Sequence, residues 1–265
     1  MKIYIIMNHN YAGDYMLMLT TQEDIIKWLH SIDIKFYSIR ENNIVDVQQQ
    51  VRITRKLTEL PIQFGVIHGS FNCSGTGLIT LKGCPEKVTD FFNCDNNQLK
   101  SLQYCPKEVG GYFSCNYNKI ESLLYAPECI NESFYCDNNN LISLEYGPKS
   151  VSDSFYCNKN SLVNLIGCPS EIGGDMSCIY NKLTSFEGFP DTIDGSLFFS
   201  HNNIPEEQLA YFNTVVGEDI ENNFDMEKQE FLSQVSKMKE IKMEKEALSL
   251  IISNNVNENN IKKRL

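Results

Sequence analysis

Apolar positions along this chain recur every 21 residues, a period that no single helix or strand generates and that marks a chain winding turn upon turn. A large apolar residue stands at Phe71, Phe92, Phe113, Phe134, Phe155, Met176 and Leu197. Two residues later come Cys73, Cys94, Cys115, Cys136, Cys157 and Cys178, with Phe199 in the seventh place. Leu or Ile follows at Leu78, Leu99, Ile120, Leu141, Leu162, Leu183 and Ile204, and again at Leu81, Leu102, Leu123, Leu144, Leu165 and Phe186. Two non-apolar columns keep the same beat. Asparagine falls at Asn97, Asn118, Asn139, Asn160, Asn181 and Asn202, and proline at Pro85, Pro106, Pro127, Pro148, Pro169 and Pro190. The unit reads FxCxxNxLxxLxxxPxxV.

Each column has a physical role in such a winding. The alternation FxC predicts a short strand with Phe and Cys pointing inward and their neighbours outward, so that successive turns stack into one parallel sheet. The Asn turns the chain out of the strand, where its amide can bond backbone groups of adjoining turns in a ladder. Leu and Val fill the core behind the sheet. Pro fixes φ and donates no backbone hydrogen, which suits an extended, polyproline-like return segment rather than a helix.

These residues resemble the leucine-rich-repeat consensus LxxLxLxxNxL, with Phe and Cys at two of its Leu positions. The short unit with Pro on its return path is most similar to the bacterial type of repeat found in secreted effector ubiquitin ligases. The resemblance implies an α/β leucine-rich-repeat solenoid over residues 66–204, with a parallel sheet on a concave face and an extended convex side. It does not imply ligase activity, because no cysteine here is followed two places later by Asp. With the Asn, Ile and Lys content, it points to a bacterium or a bacteriophage as the source.

A solenoid exposes apolar core at both ends unless something covers it. Residues 1–65 predict a small α/β unit: a strand at KIYIIM, an amphipathic helix at TTQEDIIKWLHSI opened by a Thr cap, and strands at KFYSIR and NIVDVQQQVRI. An N-terminal cap is its expected role, with Trp28 and His30 as packing and surface residues. Residues 205–254 predict a capping helix that starts at Pro205 and a longer amphipathic helix that could pair with a second chain. The closing segment, 255–265, reads as a flexible basic tail.

Charge and cysteine then narrow the function. The chain carries 34 acidic and 23 basic residues, a net charge of −11, which disfavours gripping nucleic-acid phosphates or an anionic membrane. Of the ten cysteines, six share the inward strand column and Cys84, Cys105 and Cys168 share another beside the prolines. Spacing set by the repeat predicts reduced thiols packed as small apolar groups, hence a cytoplasmic protein, in the host cytoplasm if phage-encoded. No CxxC-type pairing suggests a metal, and no motif suggests a cofactor.

What remains is the outward face of the predicted sheet. Its aromatic and polar positions include Phe91, Tyr112, Tyr117, Tyr135, Asp137, Tyr156, Asn158, Lys159, Tyr180, Phe198 and His201. A surface rich in Tyr, Asn and Ser resembles a binding paratope, in which rigid rings give area and small polar groups adapt their hydrogen bonds. Seven strands at about 4.8 Å make a face about 34 Å long, enough for a standard protein interface. The expected function is therefore a non-enzymatic protein-binding module, acting as an inhibitor of a host or defence protein by occluding it. Two other classes compete: an acidic mimic of nucleic acid that occupies a basic protein, and an enzyme seated in the N-terminal unit.

Overall fold

The computed structural model describes residues 18–205. The strand expected at KIYIIM, the tail at 255–265 and, but for Pro205, the helices expected over 205–254 lie outside the described residues.

Helix α1 (Gln22–Ser31) begins where expected, with Thr21 as its cap: the Thr21 hydroxyl accepts a hydrogen bond from the Asp24 N–H at 3.2 Å. Glu23 and Asp24 in the first turn and His30 in the last complement the helix dipole. Its inner face buries Ile25, Trp28 and Leu29, and the Trp28 ring meets Phe64 with centroids 6.1 Å apart. The strands β1 (Tyr37–Ile39) and β2 (Ile44–Val47) form an antiparallel hairpin, followed by β3 (Val51–Arg52) and β4 (Gln63–Ile67).

From there the chain is a parallel β-solenoid of about seven turns, each contributing two strands of two residues. In order they are β5 (Phe71–Asn72), β6 (Lys87–Val88), β7 (Phe92–Asn93), β8 (Glu108–Val109), β9 (Phe113–Ser114) and β10 (Cys129–Ile130). They continue as β11 (Phe134–Tyr135), β12 (Ser150–Val151), β13 (Phe155–Tyr156), β14 (Glu171–Ile172), β15 (Met176–Ser177), β16 (Thr192–Ile193) and β17 (Leu197–Phe198). The odd strands from β3 to β17 form one eight-stranded sheet, in which Phe71, Phe92, Phe113, Phe134 and Phe155 stand in strict register. The parallel pairing of both sheets already begins within residues 44–52, which the pattern groups with the N-terminal unit, because β2 pairs with β4 and β3 with β5.

The return path is extended as expected, yet it does more than span the gap. The residues two and three after each Pro pair with the same residues of the next turn, building a second ladder. Pro lacks a donor and stays just outside these paired positions, so the ladder keeps its hydrogen bonds. Among the described residues this ladder is broken once. β1-β2-β4-β6-β8 forms one sheet and β10-β12-β14-β16 another, with no pairing between β8 and β10.

Three stacks of identical side chains hold the turns together. The Phe column is wholly buried, and its rings follow one another at centroid distances of 5.2–5.9 Å. The Asn column forms the predicted ladder. The Asn118 amide nitrogen donates to Cys94 O, Cys115 O and Asn116 O at 3.0, 3.1 and 3.2 Å, while its oxygen accepts the Leu99 N–H at 3.0 Å. In the first such turn Thr76 stands in place of Asn and bonds Cys73 O. The Cys column adds a weaker ladder, each thiol donating to a carbonyl of the next turn, as Cys94 does to Ser114 O at 3.3 Å. Burial pushes the thiols of Cys94, Cys115, Cys136, Cys157 and Cys178 up, the last to about 12, and that of Cys105 beside the prolines to about 12 as well, so they stay protonated packing groups. No disulfide joins any cysteine. Cys129, outside both columns, is exposed.

Candidate functional site

A strand of two residues shows one side chain inward and one outward, which explains why the eight-stranded sheet presents Tyr135 and Tyr156 beside buried Phe134 and Phe155. On this outward face four half-buried rings run across successive turns. Phe91 stacks on Tyr112 with centroids 4.6 Å apart and planes 5° from parallel. Tyr112 then meets Tyr135 edge-on at 5.9 Å, and Tyr135 stacks on Tyr156 at 5.2 Å. Phe91 and Tyr112 sit three residues before the cysteine and Tyr135 and Tyr156 one before, so the row crosses from one column to another. Partial burial raises the Tyr112 and Tyr156 hydroxyls above their ordinary range, which keeps them neutral donors.

Beside the rings runs a polar row. Asp95 Oδ1 accepts from the Asn116 N–H at 2.7 Å, and Asn116 Oδ1 accepts from the Asp137 N–H at 2.7 Å. Asp137 Oδ1 in turn accepts from the Asn158 N–H at 2.6 Å, and Asn158 Oδ1 from the Ile179 N–H at 2.7 Å. Each side chain therefore caps the backbone of the following turn. Asp137 and Asn158, both candidate contact residues, have one oxygen committed in this way. Burial raises the carboxyls of Asp95 and Asp137 above the usual range even though they accept these bonds.

The third row follows the sheet, two residues past the cysteine, and here the backbone is left-handed in every turn. Gly75, Asn96 and Asn138 suit that conformation, with φ of 67°, 55° and 54°. Tyr117, Lys159, Tyr180 and His201 adopt it too, at 54°, 52°, 55° and 59°. A residue with a Cβ costs about 1 kcal/mol there, so these four side chains sit at positions the fold would fill more easily with Gly or Asn. Tyr180 and His201 stack with centroids 4.1 Å apart, and Lys159 Nζ lies 5.8 Å from the Tyr180 ring centre. Tyr117 is exposed on the same row.

The structure thus places the eleven sequence-chosen residues on the outward side of the eight-stranded sheet or, for Tyr117, Lys159, Tyr180 and His201, just past its strands, and divides them. Phe91, Tyr112, Tyr135 and Tyr156 form a continuous row; Lys159, Tyr180 and His201 form a second cluster; Asp137 and Asn158 cap backbone. Phe198 lies beyond the first row, separated from Tyr156 by Ser177.

Sequence reasoning passed over another column altogether. Two residues before each Pro stand Gly83, Tyr104, Tyr125, Tyr146, Gly167 and Gly188, all with left-handed φ. The glycines in this column were the available signal.

Among the described residues, no group of three or more His, Cys, Asp or Glu is placed to hold a metal ion, and no helix is long and apolar enough to cross a membrane. No protein-family model matches the chain, and neither a curated protein nor a solved structure does.

Proposed function

We propose that this chain is a non-enzymatic protein-binding module of leucine-rich-repeat type that engages its partner through the outward, concave face of the eight-stranded sheet. The observation that carries the reading is the row Phe91–Tyr112–Tyr135–Tyr156, four half-buried rings held in a fixed stack on an open sheet. Aromatic rings already immobilised lose little entropy on binding, so they make efficient anchors. Because Tyr135 and Tyr156 turn their ring faces to each other, they offer edges and hydroxyls outward. That favours a protein surface with hydrogen-bonding groups over a sugar ring, which would need a free aromatic face.

The strained row of Tyr117, Lys159, Tyr180 and His201 supports the same reading, since energy is stored there without a packing return for Tyr117. An acidic mimic of nucleic acid fits less well: Asp95 and Asp137 are tied to backbone N–H groups and burial disfavours their charge. Without chemistry of its own, a module of this kind acts by covering its partner, and inhibition of a host or defence protein by a bacterial or phage product is the role it suits.

Photo-crosslinking tests the assignment. Tyr156→p-benzoylphenylalanine should trap one protein in the native cell, whereas the same replacement at Gln98, exposed on the turn just past the Asn column, should trap none. Equal trapping from both positions, or none from position 156, would overturn it.

A further inference from the structure

The single break in the return-side ladder is local. Across the same two turns the eight-stranded sheet is intact, with Phe113 paired to Phe134. On the return side the flanking turns are joined by Lys107 N–H to Glu86 O at 3.1 Å and Gly110 N–H to Val88 O at 3.0 Å, and again by Lys149 N–H to Glu128 O at 2.7 Å and Ser152 N–H to Ile130 O at 3.0 Å. Among the described residues the equivalent bonds at the break, from Glu128 N–H to Lys107 O and from Asn131 N–H to Val109 O, are not made. Side chains reach across instead: the Asn131 amide to Val109 O at 3.4 Å, and the Cys105 thiol and Lys107 Nζ to Tyr125 O at 3.1 and 3.0 Å. The main chains are unpaired at this place, and an open groove of about 1030 Å³ lies over it.

Tyr125 and Tyr146 stand along this groove, and Tyr104 precedes them in the same column. At Tyr104, Tyr125 and Tyr146 φ is 72°, 81° and 66°, and the residues are 53%, 42% and 68% exposed. Elsewhere in the column glycine is obligatory: a Cβ at Gly83 would collide with Ile62 O, at Gly167 with the Glu145 backbone, at Gly188 with the Ile166 backbone. At Tyr104, Tyr125 and Tyr146 the same left-handed backbone penalises a side chain. Three large rings in successive strained positions, all turned to solvent, have no packing explanation.

Charge at the groove differs from that of the body. Lys87 pairs with Glu108 and Lys149 with Glu128, both at the surface. Lys107 is the surplus cation. It donates to Tyr125 O at 3.0 Å, and its Nζ lies 5.7 Å from the Tyr125 ring centre. A net positive groove on a chain of charge −11 complements an acidic ligand.

We propose that this groove binds an extended acidic peptide segment of a partner protein, laid along the groove over the ladder break. The unpaired Lys107 O and the Glu128 and Asn131 N–H groups supply main-chain hydrogen bonds, Tyr125 and Tyr146 hold an apolar side chain, and Lys107 meets a carboxylate. The site is separate from the sheet face proposed above.

Fluorescence anisotropy of the full chain with a fluorescein-labelled seven-residue peptide of alternating Glu and Val tests this, with the Lys–Val peptide as comparison. The Glu–Val peptide binds with Kd below about 1 mM and at least about tenfold more tightly than the Lys–Val peptide. Lys107→Glu and the double variant Tyr125→Gly with Tyr146→Gly each weaken binding about tenfold or more, and Tyr135→Ala leaves it unchanged. Glycine relieves the left-handed strain, so the double variant keeps its unfolding midpoint, and a lost site is not a lost fold. Absence of binding, equal affinity for the two peptides, or unchanged affinity in the glycine double variant would overturn the proposal.

Discussion

Tyr135 and Tyr156 stand directly opposite each other on paired strands, their rings 5.2 Å apart and 8° from parallel. The pair is a stabilising contact as well as a surface, and the two roles separate by magnitude. A stacked cross-strand pair contributes about 0.5–1.5 kcal/mol beyond area burial. A double-mutant cycle with Tyr135→Ala and Tyr156→Ala, followed by urea unfolding, is expected to return a coupling in that range. Coupling near zero would mean the stack does not persist in solution.

The Asn ladder carries more weight. Asn118 satisfies three carbonyls and the Leu99 N–H, most of them buried. In Asn118→Ala these groups lose their partner, at about 1–3 kcal/mol for each left buried and unpaired. Unfolding free energy should fall by at least about 2 kcal/mol. A loss below about 0.5 kcal/mol would show that the turns are held by the strands alone.

Asp137 gives a pH signature. Its folded-state pKa is raised by burial from an ordinary value of 3.8, so the folded chain holds the proton more tightly than the unfolded chain. Ionisation therefore costs stability: the penalty is absent below the ordinary value, grows as pH rises, and is complete above the folded value. Asp137→Asn keeps an oxygen for the Asn158 N–H, as Asn116 shows one turn earlier. The variant should match or exceed wild type at pH 7, and the two should converge below pH 3.8. A variant less stable at pH 7 by the same amount as at pH 3 would contradict the burial argument.

Thiol chemistry checks the packing of the core. Cys129 is exposed, Cys168 half-buried, and the other eight of the ten cysteines are buried. Labelling of the native chain with an aromatic disulfide should consume Cys129 first, with Cys168 behind it, and unfolding should release the rest. Rapid native labelling of Cys115 or Cys136 would contradict a closed Cys column.

The period and the inward columns were legible because identical turns repeat one physical instruction: Phe and Cys inward, Asn to the backbone, Pro on an extended return. The return ladder was harder to read, since two residues such as Lys87–Val88 carry no alternation long enough to register as a strand. The break between β8 and β10 was harder still, as Pro106 and Pro127 keep the 21-residue beat across it. On the sheet face, position told which side chains point outward but not how they pair. Tyr112 reaching Tyr135 from a different column, and Asp137 capping Asn158, depend on side-chain direction. The left-handed row was half visible in Gly75, Asn96 and Asn138, and Tyr117, Lys159, Tyr180 and His201 masked it.

Affinity capture from the native cell, with the wild-type chain and with the Tyr135→Ala, Tyr156→Ala double variant side by side, bears most directly on binding through the sheet face. Removing two central anchors should cost at least about 2 kcal/mol, a loss of about thirtyfold in affinity. The expected result is one protein recovered in stoichiometric amount by wild type and nearly absent with the double variant, whose circular dichroism stays unchanged. Equal recovery of the same protein by a folded double variant would contradict the account.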